Sequence, residues 1–236
     1  MMRVAALIPA YQAAERLGEV LLGLQALEAS PEVLVVDDGS RDATAQVARQ
    51  YGARVLSFAA NRGKGHALLA GFEALRDYDG VVTLDADGQH PPECFPAFVE
   101  AAQGGADLVL GVRARTPSMP PARRFANAFS SGWTTWLAGQ TVTDSQSGYR
   151  LYTGRLLRRT PITPGRYEVE TEVVVRASRL GFRFTEVVIP TVYGDAGSHI
   201  HPFRDVPRIG SVLVRLTLER LAPPRVMREA QRGEPA

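Results

Sequence analysis

Short apolar runs alternate with stretches of helical periodicity through the first half of the chain. The apolar runs occupy residues 4–9, 33–36, 54–58, 81–84 and 106–112. Between the first two runs, Leu17, Val20, Leu21 and Leu24 recur at the spacing of one helix face. Buried strands that alternate with helices are typical of a parallel sheet covered on both sides. The pattern therefore predicts an α/β fold with a doubly wound, mostly parallel central sheet and helices on both faces.

The second half of the chain is less regular. Residues 113–124 are basic and interrupted by prolines, which predicts a loop above the ligand edge of the sheet. Beyond this loop, helices are predicted at 125–137 and 167–180, strands at 150–152 and 182–189, and a second loop at 193–205. The domain prediction is one domain at 1–205, an amphipathic helix at 206–221 and a disordered tail at 222–236.

Composition narrows the choice of partners and compartment. The formal charge of +2 over 236 residues is too small to indicate a nucleic-acid partner. A single cysteine, Cys94, allows no internal disulfide and fits a reducing compartment. The sequence shows neither a secretory signal nor an apolar stretch of about 18 residues, so we expect a cytoplasmic protein without its own membrane anchor. The basic segment 206–221 is compatible with peripheral membrane contact, although packing on the domain is the favoured explanation.

Acidic residues follow two of the predicted strands. Asp37 and Asp38 come after the second apolar run, and Asp85 and Asp87 come after the fourth. In an open α/β sheet, ligands bind beyond the carboxyl ends of the strands. Carboxylates at i and i+2 of an extended chain point to one side, where they can hold a divalent cation and through it phosphates. A polar turn without a ligand is the plain alternative.

Other chemistries fit the sequence less well. The glycine pattern of a dinucleotide site is missing after the first strand, and residues 63–65 do not complete a P-loop. Asp85 and Asp87 also resemble the nucleophile and general acid of haloacid-dehalogenase-type phosphatases. That motif normally opens its fold and has an acidic pair downstream, whereas Asp37 and Asp38 lie upstream. A nucleotide-sugar-binding protein without turnover is a further alternative.

Several short stretches carry a more specific pattern. They are Ile-Pro-Ala-Tyr-Gln at 8–12, Val-Val-Asp-Asp-Gly-Ser-Arg-Asp-Ala-Thr at 35–44, Asn-Arg-Gly-Lys-Gly at 61–65, Leu-Asp-Ala-Asp-Gly-Gln-His-Pro-Pro at 84–92, Gly-Val-Arg at 111–113 and Asp-Ser-Gln-Ser-Gly-Tyr-Arg at 144–150. In this order they resemble inverting family-2 glycosyltransferases, in the branch of dolichol-phosphate mannosyltransferase and dolichyl-phosphate β-glucosyltransferase. The family usually has Tyr-Asn-Glu where this chain has Tyr-Gln-Ala. The resemblance implies a GT-A fold and transfer of a sugar, with inversion, from a GDP- or UDP-linked donor to a polyprenyl phosphate.

The resemblance also implies roles for residues on the donor side. Asp38 would contact the base, where a carboxylate can accept an N–H, and Asp85 would bind the ribose. Asp87, with Gln89, would hold Mg²⁺ or Mn²⁺ on the diphosphate of the donor. The nucleotide-binding set that the resemblance implies is Pro9, Tyr11, Asp38, Asn61, Lys64, Asp85 and Ala86.

The acceptor decides whether a base is needed. A lipid phosphate is already anionic near neutral pH and needs cationic clamping rather than a strong base. The resemblance implies Arg113, Arg124, Ser198, His199 and Arg204 for this clamp, although the lysine that mannosyltransferases have after Ser198 is missing. A hydroxyl acceptor such as a saccharide would need a base, for which Asp144 and Glu170 are the candidates. The predicted catalytic set is Asp87, Asp144, Glu170 and Arg204.

Overall fold

Helices and strands alternate along the chain as the apolar pattern predicts. The computed structural model describes residues 2–113, 121–163, 168–190, 202–221 and 225–232. The strands are β1 (Val4–Ala10), β2 (Glu32–Asp37), β3 (Arg54–Ser57), β4 (Gly80–Thr83), β5 (Leu108–Arg113), β6 (Arg150–Thr153) and β7 (Phe184–Ile189). The helices are α1 (Ala14–Gln25), α2 (Thr44–Gln50), α3 (Lys64–Ala74), α4 (Phe95–Gln103), α5 (Pro121–Ala138), α6 (Gly154–Arg159), α7 (Glu168–Arg179), α8 (Pro202–Leu221) and α9 (Arg225–Arg232).

The strands form one seven-stranded sheet in the order β3-β2-β1-β4-β6-β5-β7. All neighbouring pairs are parallel except those of β6, which runs antiparallel to both β4 and β5. The predicted mostly parallel, doubly wound sheet is confirmed. Because β6 runs the other way, its first residue, Arg150, lies beside Thr83 and Leu110. The loop that precedes β6 therefore reaches the edge at which β1, β2, β4 and β5 end.

Alternate strand residues pack on opposite faces of the sheet. Leu7 of β1 belongs to the apolar cluster that includes α3 and α7, whereas Ile8 belongs to the cluster that includes α1 and α4. Helix α3 approaches β1 closely at Gly71, where a Cβ would lie 2.3 Å from Leu7 Cδ1. Both faces are thus covered by packed side chains, and the carboxyl ends of the strands are left for a ligand.

The structure corrects the predicted starts of two helices and the prediction of a disordered tail. Helix α5 begins at Pro121, inside the predicted loop 113–124, and α8 begins at Pro202 rather than at residue 206. Proline is well suited to the first turn of a helix, because its fixed φ fits the helix and its missing N–H would have no partner there. The tail expected to be disordered contains α9, in which Met227 and Ala230 are buried. The remaining residues of both loops, 114–120 and 193–201, lie outside the described part.

Helix α8 packs on the domain through one apolar side and one charged side. Val212, Leu213 and Leu216 form a buried cluster with Leu137 of α5 and Val175 of α7. Two ion pairs strengthen this contact, namely Arg215 to Glu172 at 2.9 Å and Arg176 to Glu219 at 2.8 Å. Packing on the domain, the favoured explanation of this amphipathic segment, is what the structure shows. In the described part of the chain, no helix is long and apolar enough to cross a lipid bilayer.

Two leucines of α8 provide a direct test of this packing. Leu213 is 1% exposed and Leu218 is 61% exposed. We expect Leu213→Ala to lower the free energy of unfolding by about 2–5 kcal/mol, because it leaves a cavity between helices. Leu218→Ala should change it by less than about 0.5 kcal/mol. Urea denaturation of the two variants checks this, and equal effects would mean that α8 does not pack as described.

Candidate active site

The ends of β1 and β2 are tied to the loop before α3. Asp38, 3% exposed, accepts the backbone N–H groups of Arg62 at 2.7 Å and Gly63 at 2.8 Å, one on each carboxylate oxygen. Gly39, at φ +72°, permits this approach, since a Cβ there would lie 2.5 Å from the carbonyl carbon of Ala60. Asp38 thus holds the 61–64 loop against the sheet. Its predicted contact with a base remains a prediction.

Lys64, the first residue of α3, bridges two carboxylates. Its Nζ lies 2.7 Å from Asp85 Oδ1 and 2.9 Å from Glu170 Oε1. Burial alone would lower the pKa of the Lys64 ammonium, but Asp85 and Glu170 raise it above its usual value. For Asp85 the effects are reversed: burial alone would raise its pKa, but the ammonium of Lys64 lowers it to about 2. Lys64 and Asp85 are therefore both charged at neutral pH. Through Lys64, the turn after β4 is fixed to both α3 and α7.

Gly148 closes over this ion pair. A Cβ at this position would lie 2.7 Å from Lys64 Nζ and 2.9 Å from Asp85 Oδ2. The carbonyl of Gly148 accepts a hydrogen bond from Thr83 Oγ1 at 2.8 Å, which fixes the loop against the end of β4. A side chain at position 148 would therefore have to displace Lys64 Nζ or the Asp85 carboxylate.

His90 holds the turn after β4 by a hydrogen bond to the backbone of Asp85. Its Nδ1 accepts the backbone N–H of Asp85 at 3.0 Å, and its ring packs 5.3 Å from the ring of Tyr149. Burial lowers the pKa of His90 below its usual value. A neutral imidazole is also what the hydrogen bond requires, because Nδ1 must be unprotonated to accept it. His90 is therefore a structural part of the site rather than a proton donor.

Arg113 and Asp144 form a second ion pair at the same edge. Arg113 Nε donates to Asp144 Oδ2 at 2.7 Å, and Nη2 donates to Oδ1 at 3.0 Å. Burial alone would raise the pKa of Asp144, but the two-pronged contact with Arg113 holds it below its usual value. The bidentate geometry makes this one of the strong ion pairs of the site.

Asp87 differs from the other acids of this edge. It is partly exposed, and its Oδ1 accepts the backbone N–H of Gln89 at 2.9 Å within the same turn. In the described residues it has no ion pair with a lysine or arginine. Gln89, two residues further on, is also partly exposed. This oxygen-only donor set fits a hard divalent cation such as Mg²⁺ or Mn²⁺.

The family model for Glycosyl transferase family 2 matches residues 5–163, which run from β1 to the end of α6 and beyond. The chain belongs to glycosyl transferase family 2.

Two relatives of this glycosyltransferase are named for transfer to lipid phosphates. An undecaprenyl-phosphate mannosyltransferase of Micrococcus luteus is 35% identical over 211 residues, which cover 83% of this chain and 86% of the relative. A dolichyl-phosphate hexose transferase of Haloferax volcanii is 30% identical over 218 residues, covering 92% of this chain and 94% of the relative.

A solved structure confirms the GT-A type fold. Glucosyl-3-phosphoglycerate synthase from Mycobacterium tuberculosis, in complex with Mn²⁺, UDP and phosphoglyceric acid, superposes with a TM-score of 0.74 at 22% identity. The match covers 94% of this chain and 80% of that chain.

Most of the residues predicted for the donor side lie together in the glycosyltransferase. Pro9 lies in β1 and the half-exposed Tyr11 directly follows this strand. The exposed Asn61 precedes Lys64 in the loop that Asp38 holds. Ala86 is buried between Asp85 and Asp87. The specific contacts of these residues with a nucleotide remain predictions.

The predicted acceptor residues are only partly within the described structure. Arg113 lies at the edge, paired with Asp144. Arg124 is on α5 and Arg204 is on α8, but their side chains are outside the described part. Ser198 and His199 lie outside the described residues altogether. Their predicted phosphate contacts, and the catalytic role predicted for Arg204, remain predictions.

Sequence reasoning missed the supporting residues of the site. Gly148, His90 and Arg150 were recognised only as members of matching stretches. The signal for Gly148 was its place in a polar loop before a strand, and the signal for Arg150 was a charged residue at the start of that strand. Neither signal gives a distance to Lys64 or Glu170, because these residues are far apart in the chain.

Replacing Lys64 tests the bridge. We expect Lys64→Met to lower the free energy of unfolding by about 2 kcal/mol, because it leaves Asp85 and Glu170 as neighbouring uncompensated carboxylates. Adding Glu170→Gln to this variant should restore part of the loss, since it removes one of the two charges. Thermal or urea denaturation measures both.

A matched control is available near the end of the same helix. Arg76 pairs with Glu73 at 3.1 Å, but both side chains are mostly exposed. Arg76→Met should therefore change stability by less than about 1 kcal/mol. If Lys64→Met behaved like Arg76→Met, the buried bridge would contribute nothing to the fold.

Proposed function

We propose that this glycosyltransferase moves a sugar from a nucleotide sugar, with inversion, to a polyprenyl phosphate. The names of the relatives from Micrococcus luteus and Haloferax volcanii support this acceptor class. The observation in the structure that supports the proposal is that both candidate bases are paired with cations. Asp144 is bound by Arg113, and Glu170 is bound by Lys64.

A base that is held by a cation is poorly suited to remove a proton. Transfer to a saccharide hydroxyl requires a group that accepts the hydroxyl proton as the bond forms. Arg113 lowers the pKa of Asp144, and protonating Glu170 would leave Lys64 with one carboxylate fewer. A phosphate oxygen brings its own negative charge to the reaction and needs no such base. The paired acids therefore favour a phosphate acceptor over a hydroxyl.

The donor would lie over the ends of β1, β2 and β4. The half-exposed Tyr11 and the exposed Asn61 flank this region, and the Asp85–Lys64 pair forms its floor. We propose that the base lies near Tyr11 and Asn61 and the ribose near Asp85. Asp38 acts here chiefly by holding the 61–64 loop, since each of its oxygens already accepts a backbone N–H.

A divalent cation is part of the proposal. In the described residues no cluster of three or more acidic, histidine or cysteine side chains could hold a metal alone. Asp87, with Gln89, would supply one side of the coordination, and the diphosphate of the donor would supply the rest. When bound, the cation would neutralise charge on the leaving nucleoside diphosphate. The neighbour from Mycobacterium tuberculosis was solved with Mn²⁺ and UDP, which supports a divalent cation in this fold.

On the acceptor side we propose that Arg113 contributes to binding the lipid phosphate. The guanidinium is already oriented by Asp144, and such a pre-ordered fork suits a phosphate oxygen. Arg124, Ser198, His199 and Arg204 are proposed to complete the clamp. A cationic clamp both attracts the anionic acceptor and reduces its repulsion from the donor diphosphate.

An assay with defined substrates tests the proposed activity. Purified enzyme with UDP- or GDP-linked hexose, MnCl₂ and undecaprenyl phosphate is expected to form a sugar lipid that is resolved by thin-layer chromatography. Asp87→Ala should lower kcat by at least about 10²-fold, because the leaving diphosphate loses its neutralising cation. Glu100→Ala, on the far part of α4, is the control and should be active. Transfer to a saccharide but not to the lipid phosphate would overturn the proposed acceptor.

We also propose that the enzyme contacts a membrane surface through α5 and α8. Phe129 and Trp136 on α5, and Val214 and Leu218 on α8, are large apolar side chains that are exposed. They form one surface, since Trp133 lies beside Phe129 at 5.5 Å and donates to Thr217 on α8 at 3.2 Å.

The chemistry of this surface suits a bilayer interface. Tryptophan is favoured at the boundary between lipid and water, and Arg220 lies 4.6 Å from the ring centre of Trp136, where it can meet anionic head groups. The other side of α5 contacts the site, because Ser130 and Ser131 lie beside Ser145. A membrane on this surface would thus lie next to the acceptor side.

Flotation with vesicles that contain 30% phosphatidylglycerol tests this contact. We expect Leu218→Glu to lower the bound fraction several-fold, because a charge would have to enter the apolar interface. Val188→Glu is the control, since Val188 is also highly exposed but lies on the edge strand β7. Equal binding by the two variants and the unchanged protein would argue against a membrane contact at α5 and α8.

A further inference from the structure

Arg150 is a fully buried guanidinium that donates hydrogen bonds to three main-chain carbonyls. It has no exposed surface and begins β6. Its Nε donates to the Ser147 carbonyl at 2.7 Å, Nη2 to the Ser145 carbonyl at 2.8 Å, and Nη1 to the Glu170 carbonyl at 2.6 Å. In the described part of the chain no carboxylate forms an ion pair with it. Burying a guanidinium without a direct ion pair is costly, so its position calls for an explanation beyond packing.

Each of the three carbonyls belongs to a segment that carries a group of the site. Ser145 follows Asp144, which is held by Arg113. Ser147 precedes Gly148, the residue that lies against the Lys64–Asp85 pair. Glu170 extends its own side chain to Lys64. One guanidinium therefore touches the backbone beside the acceptor-side pair, beside the donor-side pair, and at the residue that completes the Lys64 bridge.

The planar shape of the side chain is what allows this. Arginine presents N–H groups in fixed, diverging directions, whereas the ammonium of lysine is a single point charge on a flexible stem. A lysine at this position could keep the charge but could not reach three carbonyls in three directions. The distances from Arg150 to the loop 144–149 and to α7 would then no longer be fixed together.

We propose that Arg150 is a positioning residue that holds the donor-side and acceptor-side ion pairs in one arrangement. It touches no substrate itself and acts through Gly148, Asp144 and Glu170. The proposal rests on the proposed function, because it takes Asp85 and Lys64 to lie at the nucleotide and Asp144 and Arg113 to lie at the acceptor. Without Arg150, the loop 144–149 and the first turns of α7 would move independently, and both substrates would be misplaced.

The test compares Arg150→Lys with a control on the same strand. Binding of UDP and of GDP in MnCl₂ is measured by calorimetry, and kcat and KM are measured for sugar transfer to undecaprenyl phosphate. For Arg150→Lys we expect kcat/KM to fall about 10²-fold, the scale of a small misplacement of reacting groups, with nucleotide binding weakened as well. The measurements are made at a temperature at which circular dichroism shows the variant to be folded.

The control is Leu151→Ala, a residue with no exposed surface on the opposite face of β6. It should lower the melting temperature but leave KM, kcat and nucleotide affinity of the folded protein unchanged. If Arg150→Lys lowered only the melting temperature, as Leu151→Ala does, Arg150 would be a structural residue and the proposal would be overturned.

A second variant is used in case Arg150→Lys does not fold. Gly148→Ala changes the position of the same loop without removing a buried charge, and Gly148 has no positive φ that would strain alanine. Its Cβ should displace the Lys64–Asp85 pair and weaken nucleotide binding about tenfold, the cost of roughly one charge-assisted hydrogen bond. Gly132→Ala, where a Cβ has nothing within 4 Å, is the control. Unchanged nucleotide binding by Gly148→Ala would contradict the proposal.

Nucleotide binding separates this proposal from the proposed acceptor. If the unchanged enzyme binds UDP or GDP with MnCl₂ but does not use undecaprenyl phosphate, the proposed acceptor is wrong, and the comparison of dissociation constants still decides the role of Arg150. If the unchanged enzyme binds neither nucleotide, both proposals are overturned.

Discussion

Lys64 stands between two carboxylates, and the arrangement of the site depends on this bridge. Asp85 belongs to the turn after β4, Glu170 to α7, and Lys64 itself to α3. Without a cation between them, the two carboxylates would repel each other in a region with little water to screen them. The bridge also explains the close approach of Gly148, since the space beside the pair admits no side chain. Three separate elements are thereby held at fixed distances around the proposed nucleotide position.

The charges of this edge are divided into those that are used internally and those that face outward. Asp85, Glu170 and Asp144 are each bound to a cation of the protein, whereas Asp87 is partly exposed and has no such ion pair among the described residues. A protein that had to remove a proton from its acceptor would need one of the inner acids to be free. This division is better suited to a reaction between two anionic substrates, whose negative charge is neutralised by a metal ion and by guanidinium groups.

Helices α5 and α8 connect the residues of the site to the surface of the protein. Helix α5 contacts the loop of the site through Ser130 and Ser131, and it contacts α8 through Trp133. Helix α8 is in turn fixed on α7, the helix that supplies Glu170, by a buried apolar cluster and by the pair of Arg215 with Glu172. A lipid acceptor would therefore meet helices that are joined to the groups proposed to bind its phosphate.

Local sequence patterns were enough to predict the sheet class, the order of strands and helices, and the acids at the strand ends. Burial and turns depend on residues within short stretches of sequence, so these features can be predicted locally. The prolines at 121 and 202 fall inside predicted loops, but they begin helices, since a proline suits a loop and the first turn of a helix equally well.

The sequence by itself determined which residues belong to the carboxyl edge, including Asp38, Lys64, Asp85 and Asp87. Only the tertiary structure decided how they pair. Both oxygens of Asp38 hold a backbone loop, while its contact with a base stays a prediction. Glu170 and Asp144 were candidate bases, yet both are bound to cations. These pairings follow from the antiparallel course of β6, which brings the loop 144–149 to the ends of strands distant in sequence, and no local pattern encodes such a distance.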